Sequence, residues 1–130
     1  MILALLTHGA WGKALLEAAE LIVGPMKDVV CFPLFPERSF KEYVEEIQTF
    51  IDKQEEDILL MADLMGGSTF HAAGKLSRAD GVKAVSGLSL ELLALADELR
   101  HDCSLERLPK CLVERARDRI ADMESILGKE

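Results

Sequence analysis

The chain has 130 residues, 49% of them hydrophobic, which is typical of one globular domain with a sizeable core. Its 23 acidic residues outnumber 15 Lys and Arg, giving a net charge of −8, and no basic run stands out, so we expect no nucleic-acid partner. The apolar run at the start has no basic segment before it and is too short for a signal peptide or a membrane span. Cys31, Cys103 and Cys111 lack CxxC spacing, which predicts reduced, buried thiols in the cytoplasm.

The first strand is predicted from the unbroken apolar run at positions 2–6, which stops at Thr7-His8-Gly9. A short continuous run of this kind before a helix is typical of a buried strand in a parallel sheet. His8 is therefore expected at the carboxyl end of the strand, on the turn into a helix. In open α/β sheets, ligands bind beyond the carboxyl ends of the strands, so His8 is a candidate for chemistry at neutral pH. The alternative is a turn histidine that bonds nearby backbone. The expected apolar face of the helix comprises Leu15, Ala18, Ala19 and Ile22.

The second strand is predicted from residue 29 onward, toward Phe35. Pro33 favours a position near the edge of the sheet, because proline cannot donate to a central hydrogen-bond ladder. Ser39 and Glu42 have the spacing of a capping box at the start of the second helix. The expected apolar face of this helix comprises Phe40, Val44, Ile47 and Ile51.

The third strand, positions 58–62, is the clearest buried run after the first, and it stops at Asp63. Gly66-Gly67-Ser68 then leads into a helical segment. A fourth, shorter strand at 82–85 is followed by the turn 86–89, with Ser89 as the expected N-cap of the next helix. A last helix is expected to begin near Pro109, a residue that suits the first turn. Its predicted apolar stripe comprises Leu112, Ala116, Ile120, Met123 and Leu127.

The resulting order, β-α-β-α-β-α-β-α-α, predicts a single α/β domain. We expect an open, mainly parallel sheet of at least four strands with helices on both faces. Right-handed crossovers bring the carboxyl ends of all strands to one edge. His8, Asp63 and the turn 86–89 then share that edge, so the active site is predicted at the strand carboxyl ends.

The side chains expected at this edge suit phosphoryl transfer onto histidine. A carboxylate from Asp63 that bonds one ring nitrogen fixes the tautomer and leaves the other nitrogen as a nucleophile. Gly66 and Gly67 allow backbone to approach a ligand, and the start of a helix favours an anion. Ser68 and Thr69 supply hydroxyl donors. Each part also has a purely structural interpretation: Asp63 as a turn cap, the glycines as a flexible approach to the helix, and Ser68 as its N-cap.

Other histidines are weaker candidates. His71 falls within the third helix and is expected to be packed or solvated rather than a second acceptor. His101 and Cys103 resemble half of a metal site, but no second pair has matching spacing, so neither a metal nor another cofactor is predicted. The chain contains no GxxxxGK[ST] segment and no GxSxG segment.

Three segments resemble the IIA domain of mannose-family (mannose/fructose/sorbose) sugar phosphotransferase systems: Thr7-His8-Gly9, the Asp-Leu-Met-Gly-Gly-Ser run from Asp63 to Ser68, and residues 85–90. The resemblance runs in register over nearly the whole chain and implies one IIA-type phosphotransferase domain over residues 1–130. It implies that His8 accepts a phosphoryl group from the phosphocarrier protein HPr and passes it to a IIB domain for sugar uptake. By the same resemblance Asp63 holds the histidine ring and Ser68 lies near the phosphate.

The resemblance further implies an enzyme subunit that works only with protein partners, in the cytoplasm, and a homodimer. It would meet the membrane only indirectly, through the transporter subunits. Some positions depart from the family pattern: Thr69 and His71 stand where the family has proline and asparagine, and Ser89 and Glu91 where it has asparagine and proline. The family exchanges its last strand between subunits, whereas positions 120–127 here have helical spacing.

Two other functions stay open at this point. One is a regulatory phospho-acceptor or binding module that reports sugar supply to a target protein, an alternative that the altered positions Ser89 and Glu91 keep open. The other is a hydrolase or metal enzyme that uses His8 and Asp63 without a protein partner.

Overall fold

The computed structural model describes residues 1–128, in which strands and helices alternate over most of the chain. The order is the predicted one with a short sixth helix added at the end. The elements are β1 Ile2–His8, α1 Gly12–Val23, β2 Val29–Leu34, α2 Phe40–Asp52, β3 Ile58–Ala62, α3 Ser68–Leu76, β4 Val82–Ser86, α4 Leu90–Leu99, α5 Leu108–Arg117 and α6 Met123–Leu127.

All strand pairs in the sheet are parallel, and the strand order is β2-β1-β3-β4. The edge position that Pro33 favours is confirmed, because β2 is the outermost strand in this order. The register aligns His8 with Leu34, and Leu6 with Ala62 and Ser86, so β1 and β2 extend two residues beyond β3 and β4 at the same edge of the sheet. His8 is the last residue of β1 itself, since its pairing with β2 extends the strand beyond the apolar run.

Side chains of the two central strands alternate between two apolar layers. Ala4, Leu6 and Leu60 belong to the layer that α2 and α3 cover. Leu3 and Leu5 belong to the layer formed with α1, α4 and α5. Burial of each such leucine contributes about 1.5–3 kcal/mol, so both layers stabilise the sheet. The predicted open, parallel α/β fold with helices on both faces is confirmed. Within residues 1–128, no helix combines the length and apolarity needed to cross a bilayer.

The helix starts that the sequence marks are confirmed by their capping bonds. Ser39 Oγ accepts the N–H of Glu42 at 3.1 Å, and Glu42 accepts the N–H of Ser39 in return. Ser89 Oγ accepts the N–H of Leu92 at 3.1 Å. These caps fix where α2 and α4 begin relative to the strand ends.

The last helix, predicted as continuous from near Pro109, is two helices: α5 ends at Arg117 and α6 begins at Met123. Asp122 separates them, because its extended backbone and its carboxylate, which accepts the N–H of Ser125 at 3.1 Å, form a new N-cap. The predicted stripe is therefore wrong in its second half. Leu112 is buried and Ala116 is half-buried, whereas Ile120, Met123 and Leu127 are exposed.

Two further side chains predicted to face the core are exposed. Ile22 lies in an open groove with Leu90 and Leu95, because α1 packs through the face centred on Ala19. Phe40, the first residue of α2, is 41% exposed and lines an open cleft with Leu34 and Phe35. The three cysteines are free and half-buried rather than buried, and partial burial raises the pKa of the Cys31 thiol.

Candidate active site

The His8 ring is held by a carboxylate from the neighbouring strand end. Nδ1 of His8 lies 2.9 Å from Oδ1 and 3.2 Å from Oδ2 of Asp63. The backbone N–H of His8 donates to Oδ2 of Asp63 at 2.7 Å. Because β1 pairs with β3 and Asp63 directly follows β3, the sheet itself sets this distance. The side chain of His8 is 44% exposed, whereas that of Asp63 is 8% exposed.

The Asp63 carboxylate also accepts hydrogen bonds from Thr69 Oγ1 at 2.7 Å and from Trp11 Nε1 at 3.3 Å. Burial alone raises the pKa of Asp63, but the bonds from the His8 backbone, the Thr69 hydroxyl and the His8 ring outweigh it and lower that pKa. An ionised carboxylate only accepts, so Nδ1 of His8 is the donor. In the neutral ring the lone pair is then on Nε2, the nitrogen left for chemistry.

Gly67 leaves the space that the His8 ring occupies. A Cβ at Gly67 would lie 3.0 Å from Cε1 of His8 and 3.3 Å from the carbonyl oxygen of Leu64. Gly66 has a different requirement, since its φ of +83° is in the left-handed region. The two glycines thus let the β3–α3 loop turn sharply and approach the ring.

The start of α3 faces the same edge. Gly67 is the N-cap and Ser68 is the first helical residue, exposed to solvent, so the interpretation of Ser68 as the N-cap is wrong. The first amides of a helix have no acceptor within it and favour an anion. Thr69, expected to offer its hydroxyl to a ligand, is instead fully buried and donates to Asp63.

A cleft of about 490 Å³ opens beside the histidine. Its lining combines apolar side chains from the end of β2 and the turn after it with groups from β1 and α3. The lining residues are His8, Gly9, Leu34, Phe35, Pro36, Arg38, Phe40 and Ser68.

The structure brings His8, Asp63, Gly66, Gly67 and Ser68 to one edge of the sheet, as the sequence predicts for their positions; their chemical roles stay predictions. His71 is not in the His8 cleft. It is exposed on α3, where its ring stands edge-on to Phe70 at 5.5 Å between centroids.

Sequence reasoning missed Trp11, the role of Thr69, and Arg38. Trp11 lies in the β1–α1 turn. A tryptophan at such a position indicates that its indole N–H donates to a nearby acceptor at the same edge of the sheet. Thr69 and Arg38 carry no comparable signal, because their contacts depend on how the loops meet in space.

Comparison with known proteins identifies relatives of the whole fold. The sequence profile of the EIIA-man family, described as PTS system fructose IIA component, matches residues 2–109. Phosphotransferase system component EIIA from Streptococcus agalactiae is 25% identical, with a TM-score of 0.85 over 95% of this chain and 98% of that one. No curated protein matches the chain.

Two more solved structures share the fold. The mannose/sorbose specific IIA subunit from Enterococcus faecalis is 19% identical, with a TM-score of 0.80 over 94% of this chain and 93% of that one. A sigma-54 interaction domain protein from Enterococcus faecalis is 17% identical, with a TM-score of 0.77 over 99% and 97%.

The family match covers residues 2–109 of the chain, and the fold agrees with it. The chain therefore belongs to the EIIA-man family, the IIA components of sugar-transporting phosphotransferase systems, whose general activity is phosphoryl transfer.

Proposed function

We propose that the protein carries a phosphoryl group on His8, which it accepts from HPr and passes to a histidine of a IIB domain during sugar uptake. The observation that supports this most directly is the bond between Nδ1 of His8 and Asp63, 2.9 Å long, on a ring that is 44% exposed. It leaves Nε2 as the nucleophile at a surface that another protein can reach.

In the proposed step, the Nε2 lone pair of neutral His8 attacks the phosphorus carried by the donor's histidine. The new bond forms between Nε2 and phosphorus, and the donor's nitrogen–phosphorus bond breaks with its electron pair kept by the donor ring. The proton on Nδ1 stays in place, and the Asp63 carboxylate stabilises the positive charge that develops on the His8 ring. Transfer to the IIB histidine is the same exchange in the opposite sense.

Gly66, Gly67 and Ser68 are proposed to bind the phosphoryl group. Ser68 shares the cleft with His8, and its hydroxyl and the first amides of α3 are available as donors. Phosphoryl transfer needs little covalent help from a protein beyond positioning and charge stabilisation. We therefore assign these residues to positioning the oxygens around phosphorus.

The proposed assembly is a homodimer. Three consecutive apolar residues at the end of α1, Leu21, Ile22 and Val23, are exposed by 90%, 64% and 42%. Ile22 and Val23 line one groove with Leu90 at the start of α4, and Arg119, which directly precedes the exposed Ile120, pairs with Glu91 of α4. A second copy of the chain would bury this apolar surface, whose exposure to water is unfavourable.

A second proposed role is regulatory, with the phosphorylation state of His8 read by a target protein. The departures at Ser89 and Glu91 favour it, because they change the rim that a IIB domain would contact. The transport role implies a cytoplasmic location, with the membrane reached only through the transporter subunits.

Incubation with phosphoenolpyruvate, enzyme I and HPr, followed by intact mass measurement, tests the proposal. We expect one added phosphoryl group per chain, and none when HPr is left out. Its discharge by a mannose-family IIB domain supports transport, whereas retention with every IIB domain supplied favours the regulatory role. Absence of the group with several HPr preparations would contradict both roles.

A further inference from the structure

Arg38 lies on the short turn after β2, and the pairing of β2 with β1 places this turn beside the His8 cleft. Leu34, the last residue of β2, is the register partner of His8 and accepts the N–H of Gly9 at 2.8 Å. The N–H of Arg38 donates to the carbonyl oxygen of Phe35 at 3.0 Å and closes the turn. The backbone therefore holds Arg38 beside the cleft, which its side chain lines together with His8.

The present partners of the Arg38 guanidinium lie on α2. Nη1 pairs with the carboxylate of Glu46, and Nη2 donates to the carbonyl oxygen of Glu42 at 3.5 Å. The side chains of Arg38 and Glu46 are 34% and 41% exposed. An ion pair this exposed is weak in water, so a stronger anion nearby displaces it.

Among the described residues that line the cleft, Arg38 alone carries a permanent charge. A phosphoryl group on Nε2 of His8 would add about two negative charges at pH 7. The planar guanidinium donates two parallel hydrogen bonds to phosphate oxygens, a geometry that a carboxylate or a phosphoryl group satisfies and water does not.

We propose that Arg38 is a phosphoryl-binding residue that exchanges partners: when His8 is phosphorylated, its guanidinium leaves Glu46 and binds the phosphoryl oxygens in the cleft that Arg38, His8 and Ser68 line. Glu46 competes for Arg38 in the unphosphorylated state. The inference rests on the proposed function, since it names a further contact to the group that His8 would carry. Arg38 thereby shifts the exchange equilibrium with HPr toward phosphorylated His8, and Glu46 shifts it back.

The equilibrium constant for phosphoryl exchange between HPr and the protein tests this, because docking of HPr changes rates but not equilibria. We expect Arg38→Gln to lower the constant roughly tenfold, the size of a charge-assisted hydrogen bond. Glu46→Gln, which frees Arg38, should raise it severalfold. Arg38→Lys should fall between Arg38→Gln and the wild type. Arg78→Gln, which removes a cation outside the cleft, should leave it unchanged.

Opposite shifts in Arg38→Gln and Glu46→Gln support the exchange of partners, since general loss of structure would move both in one direction. An unchanged constant in Arg38→Gln, or a decrease in Glu46→Gln, would overturn it. Phosphoramidate, a small phosphoryl donor, separates the two failures. If phosphoramidate labels His8 but the equilibrium constant for exchange with HPr is the same in Arg38→Gln and the wild type, this inference alone fails. If neither HPr nor phosphoramidate labels the wild type, the proposed function fails and this inference with it.

Discussion

At the scale of single residues, the site depends on the carboxylate of Asp63, which accepts hydrogen bonds from three other residues. Asp63 accepts from the backbone and ring of His8, from Trp11 and from Thr69. Every one of these groups is a donor, so an ionised side chain satisfies them all at once. Burial raises the pKa of Asp63, but the hydrogen bonds from His8 and Thr69 outweigh it and lower that pKa.

Asp63→Asn is expected to slow phosphoryl transfer from HPr by at least about 10²-fold while the fold is retained. Asparagine offers one accepting oxygen and an NH₂ group that faces other donors, so the His8 tautomer is no longer fixed. Stopped-flow transfer rates measure the effect, and circular dichroism checks the fold. Asp52→Asn, on the exposed end of α2, is the matched control; equal rates for the two variants would show that Asp63 does not orient the ring.

The same variant predicts a change in acid stability. Because the pKa of Asp63 is lower in the folded than in the unfolded state, its carboxylate stabilises the fold above the unfolded pKa of about 4. This contribution is lost as the pH falls through the lowered folded pKa. Urea unfolding across the acid range should therefore show a shallower loss of stability in Asp63→Asn than in the wild type. Parallel curves would indicate that this carboxylate is not stabilised by folding.

At the scale of elements, the strands could be predicted from sequence better than the last helices. Continuous apolar runs mark β1 and β3 because both faces of those strands are buried, whatever the rest of the chain does. The 3.6-residue spacing after Pro109 is also present, but Asp122 starts a new helix, and the apolar side chains of Ile120, Met123 and Leu127 are exposed. Local pattern alone does not say whether such a stripe has a partner.

The site divides in the same way. His8, Asp63 and the glycines could be placed because strand ends of a parallel sheet meet at one edge. The Thr69–Asp63 and Trp11–Asp63 bonds and the position of Arg38 could not, since they depend on side-chain directions within loops. These bonds and this position depend on tertiary contacts, which the spacing of residues in the sequence does not reveal.

Gly67→Ala tests how α3 is placed against the ring. Its Cβ would meet Cε1 of His8 at 3.0 Å, so the ring or the loop must shift. We expect phosphoryl transfer to fall at least about tenfold, because small misplacement of a reacting group is costly. Gly74→Ala in the same helix meets nothing within 4 Å and should raise the free energy of unfolding by about 0.5–1 kcal/mol with transfer unchanged. A wild-type rate of phosphoryl transfer in Gly67→Ala would show that the His8 ring tolerates a side chain at position 67.

At the scale of the whole molecule, the described surface is acidic overall yet has an apolar region at the end of α1. We expect sedimentation equilibrium at micromolar concentration to show a dimer. Ile22→Glu should weaken it at least about tenfold, because a charge would be buried in the interface. Thr49→Glu adds the same charge on α2, which covers the other face of the sheet, and should leave the dimer intact. A wild-type monomer, or equal weakening by both variants, would reject the proposed interface.

The central claim is that His8 carries the phosphoryl group, and HPr-dependent labelling of histidine variants tests it most directly. Phosphohistidine is labile in acid and stable in base, unlike phosphoserine, so the label reports its own chemistry. We predict that His8→Ala abolishes the acid-labile label, whereas His71→Ala keeps it, because His71 lies outside the cleft and has no carboxylate that holds its ring among the described contacts. Stoichiometric labelling of His8→Ala, or loss of the label in His71→Ala alone, would contradict the account.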